Sequence, residues 1–228
     1  MTATALSRPG LADLGPVAQL RAGQLTRRLP QLLLGLVLYG VSLALMVRGN
    51  LGLAPWDVLH SGLIRYVPIT FGQAVVLMSF VVLLAWIPLR EMPGIGTLAN
   101  ALVVGFSADG TLAVLDAPDG IVLRIALMVG GVLLCGLAGA LYIGAQLGRG
   151  PRDGLMTGLA RRTGRSLRTV RTAIEVTVVL TGLLLGGTIG LGTVLYALAI
   201  GPLTQLWLPS FTVDLTTGRC VRVRSRRR

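Results

Sequence analysis

Long apolar runs, separated by short stretches rich in glycine and arginine, dominate the chain from residue 29 onward. The runs at 29–47, 67–89 and 125–147 each offer about 20 apolar residues, the length that crosses about 30 Å of hydrocarbon as a helix. The run at 93–108 is shorter and contains glycine. The pattern therefore predicts an all-α protein that crosses a membrane several times.

The last apolar run, 176–213, carries no charged residue and is too long for one helix. Glycines 186, 187, 190 and 192 divide it, which predicts two spans near 176–185 and 193–208. Together with the four earlier runs, this division gives a total of six predicted spans.

The chain also contains an internal repeat. Shifted by 96 positions, residues 35–105 match residues 131–201 without a gap at 22 of 71 positions. Chance matching in so Leu- and Gly-rich a chain gives roughly one position in ten, so a duplicated unit is the better explanation. We therefore predict two three-span repeats, at 29–115 and 120–209. The strongest matches pair LGLAPWD at 51–57 with LGRGPRD at 147–153, and GIGT at 94–97 with GLGT at 190–193.

An odd number of spans per repeat makes the second repeat enter the membrane from the opposite side. The arginines test this inverted arrangement, because cytoplasmic loops of membrane proteins carry an excess of basic residues. With a cytoplasmic amino terminus, 18 of the 21 arginines lie inside, and only Arg48, Arg65 and Arg124 lie outside. We expect both termini to be cytoplasmic. The net charge of +12 then indicates contact with anionic lipid headgroups, and not with nucleic acid.

A short segment follows the first span of each repeat, at 55–68 and 151–164. About 12 helical residues extend only about 18 Å, too short to cross the membrane. In one interpretation both segments re-enter the membrane, and Asp57 and Asp153 border a central solute site, as in transporters built from inverted repeats. In the other, the two aspartates are N-caps of short helices at the membrane surface.

Three further polar residues are candidates for lining a solute path. Thr97 and Thr193 belong to the repeated Gly-x-Gly-Thr motif, and Asn100 lies one turn after Thr97. Their hydroxyl and amide groups can bind a solute, while the neighbouring glycines also suit plain helix packing.

Glu175 is an acidic residue one turn inside an apolar span, where a carboxylate is costly. It is our candidate for ion or proton coupling, and a local ion pair with Arg171 is the alternative. His60, three residues after Asp57, could face that carboxylate, but Met156 takes its place in the second repeat.

Enzymatic motifs are missing from the sequence. It contains no Gly-x-Ser-x-Gly elbow, no His-Glu-x-x-His and no P-loop. The two cysteines, Cys135 and Cys220, fall in a span and in the tail, and form no disulfide framework. We expect no catalytic site, no metal and no cofactor.

The motifs at 51–59, 94–97 and 151–154 resemble the YczE branch of the YczE/YitT-like bacterial integral membrane proteins over about residues 30–208. This resemblance implies a location in the bacterial cytoplasmic membrane and a loosely transporter-like character. It supplies no catalytic residue.

The resulting expectation is a transporter of a small solute that works by rocking one repeat against the other. Residues 1–28 form a flexible or interfacial cytoplasmic leader, and residues 210–228 an Arg-rich cytoplasmic tail. The alternative is a membrane protein that docks or regulates a cytoplasmic partner through residues 161–171 and the tail. A polar cavity between the repeats favours transport, and a dry interface packed with glycine favours docking.

Overall fold

The computed structural model describes residues 15–215, and the regular structure in this part of the chain is α-helical. The helices are α1 (Pro16–Arg21), α2 (Leu25–Gly49), α3 (Pro55–Leu63), α4 (Phe71–Leu89), α5 (Ile95–Val114), α6 (Ile121–Gly144), α7 (Pro151–Thr163), α8 (Leu167–Leu184) and α9 (Leu191–Phe211). The all-α prediction is confirmed. Residues 1–14 and most of the predicted tail, 216–228, lie outside the described residues.

Five of these helices, α2, α4, α5, α6 and α9, are long and apolar enough to cross a membrane. The sixth predicted span corresponds to α8, which begins nine residues earlier than the predicted start at 176. The additional turns bring Arg168, Arg171 and Glu175 into the helix, so its composition is more polar than that of the other five. The predicted break between the last two helices is confirmed, because α8 ends at Leu184 and α9 begins at Leu191.

The duplication predicted from the sequence extends to every helix after α1. The four helices α2 to α5 begin at Leu25, Pro55, Phe71 and Ile95, and α6 to α9 begin 96 positions later, at Ile121, Pro151, Leu167 and Leu191. Each unit therefore consists of three long helices and one short one. At 9 and 13 residues, the short helices α3 and α7 extend about 14 and 20 Å, less than a membrane's thickness.

The two units are interleaved rather than side by side. The first helices of the units, α2 and α6, pack against each other, α3 packs against α8, and α7 packs against α4. Glycines at equivalent positions bring the two central helices close together. A Cβ on Gly35 would lie 2.8 Å from the Tyr142 nitrogen, and one on Gly131 would lie 3.0 Å from the Ser42 oxygen. Each short helix is therefore supported by the other unit.

The two repeated motifs contact each other across the units. The Gly192 N–H donates to the Leu51 carbonyl at 2.8 Å, and the Gly96 N–H donates to the Leu147 carbonyl at 2.9 Å. The loop before each short helix is thereby joined to the start of the last helix of the other unit. This reciprocal exchange explains why both motifs are present in both units.

Gly52 offers a direct test of that contact. Its φ is +122°, and an added Cβ would lie 2.8 Å from the backbone of Gly190. Gly52→Ala is expected to destabilise the protein by about 1–3 kcal/mol through backbone strain alone, with the steric clash in addition. Thermal unfolding of the purified protein in detergent measures this loss. Gly130→Ala is the control, because the space around that helical glycine is open. An equal melting temperature for both variants would contradict the proposed contact.

The beginning of the predicted tail is held against α6. The Val213 N–H donates to the Gly144 carbonyl at 3.0 Å, and the Gln146 side chain donates to the Val213 carbonyl at 2.6 Å. Val213 is fully buried. The carboxyl-terminal end of α9 is therefore fixed to the end of α6.

Candidate functional site

The two short helices begin at the centre of the molecule without a side-chain cap. Their N-cap residues are Ala54 and Gly150, and each helix has proline as its first residue. Asp57 and Asp153 are the third residues of the helices, so the interpretation of these aspartates as N-caps was wrong. Uncapped helix N-termini leave backbone N–H groups and a positive dipole end available.

Two cavities lie beside these N-termini. The larger, about 240 Å³, is bordered by residues 54–56 of α3 and by side chains of α8 and α9. The smaller, about 40 Å³, is bordered by residues 150–152 at the start of α7 and by side chains of α4 and α5. Four residues line both cavities: Tyr39, Tyr142, Arg152 and Asp153.

The two cavities are equivalent places in the two units. Their lining residues correspond in pairs separated by 96 positions: Val75 and Arg171, Ser79 and Glu175, Asn100 and Tyr196, Val104 and Ile200. The duplication has thus produced a site with two related halves. The half formed by α8 and α9 is the larger and carries the charged pair.

Asp57 lies behind the residues that line the cavity and does not line it itself. Its side chain is 1% exposed, and its Oδ1 lies 3.0 Å from Nδ1 of His60, which is fully buried. The nearest guanidinium nitrogen is that of Arg152, at 3.9 Å from the same oxygen. The predicted proximity of His60 to Asp57 is confirmed, and an arginine from the other unit joins the pair.

Asp153 occupies the equivalent position in the second unit but has different partners. The Tyr142 hydroxyl donates to its Oδ2 at 2.5 Å. In contrast to Asp57, it lines both cavities. The two repeated aspartates have therefore diverged, one into a buried pair with histidine and the other into the cavity wall.

The predicted path residues lie in different environments. Thr97 is fully buried, accepts from the Gly94 N–H at 3.1 Å and donates to the Arg149 carbonyl at 2.7 Å. Thr193 accepts from the Gly190 N–H at 3.3 Å. Both threonines thus stabilise the first turn of their helices, and neither lines the two cavities. Asn100 lines the smaller cavity.

Glu175 lines the larger cavity and is bound on its own helix. Arg171 Nε donates to Glu175 Oε1 at 2.7 Å, and the two side chains are 42% and 22% exposed. The local ion pair considered from the sequence is therefore present. It balances the charge of this carboxylate within α8.

Sequence reasoning missed three tyrosines of the site, Tyr39, Tyr142 and Tyr196, and did not predict that Arg152 contacts Trp56. Tyr39 and Tyr142 meet edge to face with ring centroids 6.0 Å apart, and the Arg152 guanidinium lies over Trp56 at 4.9 Å from the ring centroid. The repeat alignment contained a signal, because it places Arg152 opposite Trp56. Because Arg152 is the counterpart of Trp56, this contact joins equivalent positions of the two units.

The basic residues in the last turn of α7 have partners within the molecule. Arg162 donates to the Pro88 carbonyl at 2.6 Å, and Arg161 lies 3.0 Å from a carboxylate oxygen of Glu91. These arginines bind the carbonyl end of α4, where positive charge is favourable. This part of the proposed docking surface is thus engaged in joining the two units.

Apolar helices of spanning length, a duplicated unit and a cavity lined by residues of both copies define the chain as a helical integral membrane protein with several spans. The chain belongs to a family of unknown function, DUF6198, whose model matches residues 26–209.

Three curated proteins illustrate this relationship. A protein of Haemophilus influenzae is 40% identical over 78% of this chain and 81% of its own length. The Bacillus subtilis membrane protein YczE is 32% identical over 77% of this chain and 82% of its own length, and YyaS of the same organism is 25% identical over 77% and 90%. The predicted resemblance to the YczE branch is confirmed. No solved structure matches the chain.

Proposed function

We propose that the protein is a transporter of a small solute, and not an enzyme, and that it resides in the bacterial cytoplasmic membrane with both termini inside. The observation that carries this proposal is the pair of equivalent cavities, which share polar residues at their junction. A duplicated site of this kind allows one half to be open while the other is closed, as alternating access requires. The cavity volume suits a small solute, because drug-sized ligands occupy about 300–1,000 Å³.

The two halves differ in how tightly they are closed. Between α4 and α5, Gly72 and Gly105 bring the backbones into contact, and the Asp109 carboxylate accepts from the Gly72 N–H at 2.7 Å and from the Thr70 hydroxyl. We call this contact the α4–α5 gate. It closes the smaller cavity on that side.

The equivalent place between α8 and α9 lacks these contacts. Arg168 and Gln205 stand where the first unit has Gly72 and Asp109, and Gly201, the counterpart of Gly105, has no atom within 4 Å of an added Cβ. The larger cavity therefore has its mouth here, beside Thr204 and Gln205. With a cytoplasmic amino terminus, this mouth faces the cytoplasm and the α4–α5 gate faces outward.

The interleaving of the two units changes the motion that we expect during transport. Because α3 packs against α8 and α7 against α4, rocking one sequence repeat against the other would separate both short helices from their supports. We propose instead that α4–α5 and α8–α9 open in turn, while the glycine-packed pair α2 and α6 stays fixed. A dry glycine interface and a polar cavity are thus both present, at different places, and the polar cavity favours transport.

A cavity-filling variant tests the function. Ile200→Trp places an indole in the larger cavity, whereas Leu198→Trp places one on the outer surface of the same helix, where Leu198 is 72% exposed. A thermal-shift screen of small metabolites supplies candidate solutes, since a ligand that binds the folded state raises its melting temperature. Uptake into proteoliposomes is then measured. We expect stabilisation and uptake for the wild type and Leu198→Trp, and neither for Ile200→Trp. Equal uptake by both variants would contradict transport through this cavity.

A further inference from the structure

The Asp57–His60 pair presents buried polar atoms that the cavity alone does not explain. Besides the 3.0 Å contact between them, Asp57 Oδ2 and His60 Nε2 are both buried, and within residues 15–215 neither has a hydrogen-bond partner. Leaving such atoms unpaired is unfavourable, and more so for a charged group. The two atoms belong to groups that bind protons, and they lie one turn apart on one short helix.

Arg152 connects this pair to the cavity. Its guanidinium lies 3.9 Å from Asp57 Oδ1 and over the Trp56 ring, and the side chain lines both cavities. The distance to Asp57 exceeds that of a hydrogen bond. The guanidinium thus balances the charge of Asp57 while remaining able to move toward a solute.

The surroundings of the pair are otherwise largely apolar. From α4, Phe71 meets the His60 ring edge to face at 6.0 Å between centroids, and from α8 the backbone of Gly182 lies against Leu59. The titratable side chains that lie near Asp57 on the two central helices are Tyr39 of α2 and Cys135 of α6. In the charged pair of α8, Glu175 lies about two helical turns and Arg171 about three turns before Gly182.

We propose that Asp57 is the proton-binding residue of this protein, with His60 as its hydrogen-bond partner and Arg152 as its link to the solute; this inference rests on the proposed transport function. The proton binds at Asp57 Oδ2, while Oδ1 continues to accept from His60 Nδ1. When Arg152 turns toward a solute, the carboxylate loses its balancing charge, and proton uptake from water removes the resulting buried charge. Glu175 is unsuited to this role because Arg171 already balances it.

Proton binding at α3 is expected to reach the mouth of the cavity, since α3 packs against α8, one wall of the mouth. The test uses Thr204→Cys in a background with Cys135→Ser and Cys220→Ser. The rate of labelling by a small thiol reagent is measured from pH 5 to 8, and divided by the rate for the same denatured protein to remove thiol ionisation. We expect the normalised rate to change at least about fivefold, the lower range of coupling between sites.

Three variants determine which residue causes the pH dependence of labelling. Asp57→Asn is expected to abolish the pH dependence, while Glu175→Gln retains it. His60→Gln is expected to shift its midpoint, and serves as the test if Asp57→Asn does not reach the membrane. A pH-independent wild type, a retained pH dependence in Asp57→Asn, its loss in Glu175→Gln, or an unchanged midpoint in His60→Gln would each overturn the proposal. If solute uptake persists in such a case, the result rejects the proposed proton-binding site but not the proposed transport function.

Discussion

Arg28→Gln is expected to lower the stability of the protein by about 3 kcal/mol or more. The Arg28 side chain is fully buried, and its guanidinium donates to four carbonyl oxygens: Ala145 at 2.8 Å, Gln146 at 2.6 Å, Gln19 at 2.7 Å and Gly23 at 3.1 Å. Hydrogen bonds to a charged group contribute about 1.5–3 kcal/mol each, and glutamine cannot replace the planar fork of donors. The variant therefore removes the four hydrogen bonds that join the start of α2 to the end of α6 and to the segment around α1.

The repeat provides a matched control for this variant. Arg124 is the counterpart of Arg28 in the second unit, is only partly buried, and donates to the Pro118 carbonyl at 2.8 Å. Thermal unfolding in detergent compares Arg28→Gln with Arg124→Gln at equal protein concentration. We expect a clearly larger fall in melting temperature for Arg28→Gln. Equal losses would show that the four hydrogen bonds of Arg28 stabilise the protein no more than the single hydrogen bond of Arg124.

Asp109→Asn is expected to open the α4–α5 gate. The carboxylate of Asp109 binds the Gly72 N–H and the Thr70 hydroxyl, and removing its charge weakens both bonds. A loss of about 1.4 kcal/mol from the closed state raises the open population about tenfold. The smaller cavity, which is lined by Asn100, should then become accessible from the side of this gate.

Labelling of a single cysteine at position 100 measures this opening. In the Asn100→Cys background, addition of Asp109→Asn should raise the labelling rate about tenfold. Gln205→Asn is the control, because Gln205 is the counterpart of Asp109 in the unit whose mouth is already open. An unchanged rate in the Asp109→Asn protein would mean that these two bonds do not hold the gate closed.

The sequence predicted the elements of the fold well because the membrane restricts their chemistry. Runs of about 20 apolar residues leave few alternatives to helices, and the 96-position repeat agrees with the spacing of the helix starts in the two units. Periodicity did not predict the early start of α8, because the arginines at its beginning resemble a loop. Arg171 and Glu175 lie four residues apart on α8, but a search for apolar runs places the start of this helix after both of them.

The site was predicted only in part because its contacts join distant segments. A repeat shows that two motifs are equivalent, but not that each motif contacts the other motif of the opposite unit. The hydrogen bonds that join Leu51 to Gly192 and Leu147 to Gly96 are visible only in the three-dimensional structure. For the same reason, Thr97 and Thr193 resembled path residues, although their hydroxyl groups stabilise helix starts.

Paired cysteines at equivalent positions test the central claim that one half of a duplicated cavity is open while the other is closed. Thr204 lines the open mouth, and its counterpart Ala108 is fully buried. Labelling of Thr204→Cys and Ala108→Cys by a membrane-impermeant thiol reagent is compared in inside-out and right-side-out vesicles. We predict rapid labelling of position 204 from the cytoplasmic side and at least about tenfold slower labelling of position 108 from either side. Equal rates at the two positions, or labelling of position 204 from outside alone, would contradict the account.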